Sequence, residues 1–334
     1  MKHSCTLIAI VTMLGQVVAP QAYGAALPPI KEAVFFGDSL TDAGTFGGLR
    51  FTAASGKTWA QLVAEHYGQS AESNEHVTSY ADAFKGIHAS PGPGGLNYAE
   101  GGARAAHAYS QISDDPEGTP ISAEVQLKHF LAQHGSFRPD QIAMVYIGTN
   151  DVGYDYDPNN DPALTATLRR GKPPEKATLL AEQIRVQAAA DAVVQVVRDI
   201  LHSGGQRLVV FELPDLGRAP WFRTVASRNF ASTLTHAFNQ RLSEGLPSDP
   251  RILVLKMQSF MQPLFDHPQR YGLKHTAHED ACRKADQDFC DADSLVSPDA
   301  GQTYLFAASE HLTVHGNELL ASYVLQQITD HSWQ

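Results

Sequence analysis

Cysteine is scarce in this chain, with three residues in 334. That excludes a metal site built from four thiolates, and a disulfide framework standing in for a core. Positive charge is short as well: 25 Lys and Arg against 36 Asp and Glu give a formal net charge of -11. A surface of that sign does not suit nucleic acid, whose phosphates need a basic patch, so no nucleic-acid partner is expected. Past the N-terminal region no apolar run reaches the ~20 residues that cross a bilayer. No H-E-x-x-H zinc motif occurs, and no internal repeat stands out. Asp155, Asp157, Asn159 and Asp161 have the alternating spacing of a calcium loop. The glycine and the distal glutamate that such a loop needs are missing, so they read as a solvated acidic loop. Neither a metal nor another cofactor is expected.

What is present begins with a leader. Lys2 and His3 precede an apolar run from Cys5 to Val18, followed by Ala-Pro-Gln-Ala-Tyr-Gly-Ala. A short basic region, an apolar stretch and small residues predict a secretory signal over 1–24, cut after Gly24. Residues 25–334 are then a single domain, secreted or periplasmic, with no transmembrane segment left after processing. Only Cys282 and Cys290 remain in it. In an oxidising compartment that short spacing predicts a local disulfide, stapling a loop ahead of His311.

Short apolar runs alternate with longer amphipathic ones. Ala33–Phe36, Ile142–Ile147, Leu208–Phe211 and Ile252–Leu255 are apolar throughout, as strands buried on both faces of a parallel sheet are. Leu96–Ala99 is a weaker fifth strand. Helical patterns cover Trp59–Tyr67, Ala177–Leu201, Phe230–Leu242 and Asn317–Ile328, with Gly204-Gly205 stopping the second. The alternation predicts an α/β fold: a three-layer α/β/α sandwich around a central parallel sheet. Loop insertions are expected around 70–94, 151–175 and 267–298, where they would shape a pocket.

In such a sheet, ligands bind beyond the carboxyl ends of the strands. Three strands run there into Gly37-Asp38-Ser39-Leu40, Glu100-Gly101-Gly102-Ala103 and Gly148-Thr149-Asn150-Asp151, and His311-Leu312-Thr313 comes near the C-terminus. Each alone has a plain structural explanation, as a turn or a helix cap. Together they supply the parts of an acyl-transfer site. Ser39 offers a hydroxyl and His311 a base near neutral pKa. Gly101 offers a backbone N–H that no Cβ shields, and Asn150 a neutral amide donor for an oxyanion.

These segments resemble the ordered blocks of the GDSL (SGNH) hydrolase family. F-F-G-D-S-L-T-D-A-G is similar to its first block, N-Y-A-E-G-G-A to its glycine block and I-G-T-N-D to its Asn block. E-L-P-D-L-G-R-A-P and H-L-T follow in the family's order. The resemblance implies the family's flavodoxin-like sandwich and a serine esterase or lipase acting on small-molecule or lipid esters. It implies Ser39 as nucleophile, His311 as base, and Gly101 with Asn150 as oxyanion donors, Gly102 replacing Gly101 if the glycine block is shifted by one. The loop from Phe265 through Cys290 resembles that of longer bacterial members acting on lipid, choline or aryl esters. An acyltransferase would share all of these motifs.

One position departs from the family. The Asp that normally precedes the catalytic His by three residues is Ala308 here. Without it the imidazole lacks the partner that fixes its tautomer and stabilises its charged form. Glu310 is a poor substitute, since its side chain should point away from that of His311 in an extended segment. A backbone carbonyl or a small anion such as chloride beside Ala308 would leave a working Ser-His dyad. A non-catalytic binding protein on the same scaffold is the reading that Ala308 alone favours.

Overall fold

The computed structural model describes residues 27–108, 115–284 and 288–333; the leader expected over 1–24 lies outside them. Four strands form the central sheet: β1 (Glu32–Gly37), β2 (Gln141–Tyr146), β3 (Leu208–Phe211) and β4 (Ile252–Leu255), side by side in that order and all parallel. β1, β2 and β3 are buried almost throughout, and their run of Ala, Val, Ile, Met and Phe follows from having helices over both faces.

The expected fifth strand is reduced to a remnant. Asn97 bridges Phe35 in parallel, with Phe35 N–H donating to the Leu96 carbonyl and Tyr98 N–H to the Phe35 carbonyl. Pairing stops there because the next residues leave the strand for the glycine turn. Counting this remnant as the second strand in sequence, the sheet runs 2-1-3-4-5, the flavodoxin-like order. The order reverses between β1 and β2, which is where such sheets bind ligands.

Helices cover both faces. α1 (Trp59–His66) packs on α8 (Val314–Asp330), and the other group is α2 (Ala123–His134), α5 (Lys176–His202) and α6 (Val225–Gly245). Side-chain caps begin several of them: Ser122 accepts from Val125 N–H, Thr224 from Ser227 N–H and Thr313 from Gly316 N–H.

Two expected loops hold more structure than their composition announced. Residues 151–175 contain most of α3 (Thr149–Gly153) and all of α4 (Pro162–Arg169). Asp161 caps α4 by accepting from Ala163 and Leu164 N–H, and Pro162 starts it. The acidic run around Asp155 is therefore helix-terminal in part, and among the described residues no His/Cys/Asp/Glu group could hold a metal. Within 267–298, β5 (His275–Asp280) joins a small second sheet with β6 (Tyr304–Ala308) and β7 (His311–Leu312). The segment after α7 (Met257–Asp266) thereby becomes the platform that carries His311. The 70–94 insertion has a two-residue ribbon, Glu75–His76 against Ser90–Pro91, and one 3-10 turn, Tyr80–Asp82. Cys282 and Cys290 form the expected disulfide. No described helix is long and apolar enough to cross a membrane.

Candidate active site

Ser39 follows β1 directly, in a tight turn where Thr41 and Asp42 N–H both donate to the Asp38 carbonyl. The end of β1 is fixed from α2: Gly37 N–H donates to Gln126 Oε1 while Gln126 Nε2 donates back to the Gly37 carbonyl, both at 2.9 Å. A buried amide satisfying both backbone groups leaves β1 no slack, so the turn carrying Ser39 has one position.

His311 arrives from the other end of the chain. Its Nε2 lies 2.8 Å from Ser39 Oγ, and both residues are almost wholly buried. Phe51 stacks on the imidazole, with ring centroids 5.4 Å apart. The Phe51 loop is tied to the same strand by Thr52, whose hydroxyl donates to the Leu312 carbonyl at 2.8 Å. Burial lowers the His311 pKa from its ordinary 6.5, while the charge of Asp288 and the Ala308 carbonyl favour the protonated ring. Nδ1 makes no well-formed hydrogen bond among the described residues.

Glu310 breaks the expectation set by strand alternation. Its Oε1 lies 3.7 Å from His311 Nε2 rather than pointing away. Ser309 adopts a positive φ of 55°, so residues 308–310 turn instead of extending, and the alternation never starts. The carboxyl reaches the Nε2 side of the ring, beside Ser39, and not the Nδ1 side where a triad Asp would sit. Burial, with Asp288, Asp38 and Asp280 nearby, raises its pKa well above the ordinary value.

The other sequence candidates divide. Ser39, Gly102, Asn150 and His311 line one cleft of ≈ 350 Å³, and Gly101 does not. Gly101 N–H instead donates to Asp42 Oδ2 at 2.8 Å, and a Cβ there would meet the Phe51 ring at 2.2 Å. Gly102 has a φ of +85°, a conformation L side chains rarely adopt. Both glycines are needed, but for packing at the first and for exposed backbone at the second. Asn150 spends one amide hydrogen on the Ala103 carbonyl at 2.9 Å. Asp151 beside it accepts from Arg104 Nε and Ala105 N–H, which locks the glycine turn to α3.

Burial also raises Asp38, next to the serine, to about 7 and Asp42 to about 6. The walls of the cleft are Phe51, Tyr80, Phe84, Tyr156 and Trp221, with Arg169 and Asp288 among them. A second hollow of ≈ 530 Å³ shares Tyr156, Arg169, Trp221 and Asp288 with it. None of these lining residues sits in a recognisable motif. Asp288 alone carried a signal, its place between two cysteines whose disulfide folds that loop over the site.

A profile of the GDSL-like lipase/acylhydrolase family matches residues 34–324. A phosphatidylcholine-sterol acyltransferase of Aeromonas hydrophila is 25% identical over 320 residues, covering 94% of this chain and 84% of that protein. Esterase EstA of Pseudomonas aeruginosa is 27% identical over 351 residues, covering 95% of this chain but 49% of its own length. A solved carbohydrate acetylesterase of Sinorhizobium meliloti shares 13% identity at a TM-score of 0.41, covering 90% of this chain and 99% of its own, an overlap too slight to bear on substrate. With matching blocks spread from β1 to α8, the chain belongs to the GDSL-like lipase/acylhydrolase family and is by class a carboxylic-ester hydrolase.

Proposed function

We propose that this protein is a serine esterase that works through an acyl-enzyme on Ser39. The contact of 2.8 Å between Ser39 Oγ and His311 Nε2, inside a cleft that also exposes Gly102 and Asn150, carries the reading. His311 Nε2 takes the hydroxyl proton as Oγ attacks the ester carbon. It then delivers that proton to the departing alcohol, and a water repeats the cycle in reverse. The oxyanion is held by the N–H groups of Ser39 and Gly102 and by the second amide hydrogen of Asn150. Gly102 takes the role first expected of Gly101, whose N–H Asp42 already holds.

The Ala308 carbonyl supports the protonated ring in place of the missing carboxylate. A chloride ion beside Nδ1 is the other candidate for that role. The lowered pKa of His311 places the acid limb of kcat/KM below pH 6.5. The test is hydrolysis of a short-chain nitrophenyl ester by the protein and by Ser39→Ala. Turnover lost in the variant supports the acyl-enzyme; equal rates would overturn it.

An alcohol in place of water would make the same site an acyltransferase, which the 25% identity to the Aeromonas acyltransferase favours. Supplying a sterol or lipid alcohol and assaying for new ester separates the two. The leader over 1–24 and the disulfide both fit export to the periplasm or medium, and fractionation of cells expressing the full chain tests that.

A further inference from the structure

A third hollow lies behind the wall of the cleft. Glu310 and Phe51 line both spaces. The inner one is walled by Leu40, Leu216, Met257, Met261, Phe306 and Leu320, and its volume is only ≈ 20 Å³. That is about the room a single water needs. Two buried polar atoms on its lining residues, Glu310 Oε2 and Trp59 Nε1, have no hydrogen-bond partner among the described residues. Well-filled native cores contain few such voids and few such atoms.

The place of the hollow is telling. Leu40 directly follows Ser39, and Glu310 Oε1 stands 3.7 Å from His311 Nε2, itself 2.8 Å from Ser39 Oγ. An acyl group attached to Oγ therefore starts beside the Glu310 carboxyl, with the apolar hollow behind it.

We propose that the inner hollow is an acyl-chain pocket and that Glu310 is its gate, making Glu310 the residue that sets acyl-length preference. This deepens the esterase reading and rests on it. With the gate in place the enzyme takes esters of short acids. A longer, unbranched apolar acyl chain enters only when the Glu310 side chain turns aside.

The wall is built for that. Burial favours the uncharged form of the Glu310 carboxyl, which lessens the charge left unpaired when the side chain moves. Met257 and Met261 stand one turn apart on α7, and their flexible side chains adapt to what enters. Occupation also gives the apolar wall residues contacts that the void denies them.

The experiment measures kcat/KM for acetyl and butanoyl nitrophenyl esters and takes their ratio, butanoyl over acetyl. Glu310→Ala removes the gate and raises the ratio by at least about tenfold, the scale of one added methylene contact in an apolar pocket. Glu310→Gln keeps the size of the gate and leaves the ratio where it was. Met261→Phe fills the hollow and lowers it, so the proposal stays exposed even if the alanine variant does not fold. A ratio unmoved by both Glu310→Ala and Met261→Phe overturns the gate, as does a Gln variant that shifts as far as the Ala variant. Hydrolysis by the unaltered protein that survives Ser39→Ala would instead bring down the esterase reading itself.

Discussion

Asn150 and Ala308 show how differently single residues can bear on one imidazole and one oxyanion. Asn150 is fixed by its hydrogen bond to the Ala103 carbonyl, so its remaining amide hydrogen is aimed in advance. Asn150→Ala should lower kcat about 10²–10³-fold with a smaller change in KM, since such a donor acts mainly on the developing charge. A raised KM with kcat unchanged would point to ground-state binding instead. Ala308→Asp should raise kcat by placing a carboxylate where the family keeps one, while Glu310→Gln barely changes acetyl-ester turnover. Loss of activity in Glu310→Gln would mean that the glutamate serves the base directly. Ser39 and Asn150 were legible in the sequence because each lies just past a strand end, and His311 because its H-L-T segment precedes the last helix. Which of Gly101 and Gly102 faces the cleft was not, because it depends on Asp42, 59 residues away, claiming one N–H. Nor was the Glu310 side chain's direction, which follows from the positive φ at Ser309.

Among the elements, the central strands were readable because burial on both faces writes an unbroken apolar run, and β3 and β4 fall on their expected residues. The shorter helices were obscured by their surroundings. α4 lies in a polar stretch and is declared mainly by its Asp161-Pro162 start, and α7 carries Pro263 within it. β5 is half-exposed and its pairing with β6 is irregular, so no alternation advertises it. The disulfide loop belongs to this scale. Cys290 lies against the Phe51 loop, its carbonyl accepting from Ala54 N–H at 2.7 Å. Asp288 on the same loop accepts from the Tyr80 hydroxyl at 2.8 Å. Closing a loop with a sequence separation of 8 contributes about 2–3 kcal/mol through the unfolded chain. Replacing both cysteines with serine should therefore cost that much in urea unfolding. It should also weaken ester binding, because the tether of Asp288 and Phe289 at the cleft slackens. Unchanged KM in the double variant would show that the Tyr80 and Phe51 contacts hold the loop unaided.

For the whole molecule, the buried carboxyls set the dependence of stability on pH. Burial raises Asp38 from 3.8 to about 7 and Asp42 from 3.8 to about 6. Contacts with Glu75 raise half-buried His129 from 6.5 to about 9. Each of these groups holds its proton more tightly folded than unfolded. Its contribution is complete below the unfolded pKa and is lost as pH rises through the folded one. For the two aspartates the loss runs from about pH 4 to 7, and for His129 from about 6.5 to 9. At 1.36 kcal/mol per unit, Asp38 alone accounts for up to about 4 kcal/mol. The midpoint of thermal unfolding should fall by several degrees between pH 5 and pH 8, and Asp38→Asn should flatten the slope. Growing net negative charge pushes in the same direction, but salt separates the two causes. Repulsion among surface charges is screened at ~1 M salt, whereas the penalty for ionising a fully buried Asp38 is not. The fall should therefore persist in high salt and shrink in Asp38→Asn. A fall that vanished in high salt would assign the whole effect to the acidic surface and none to the carboxyl beneath the nucleophile.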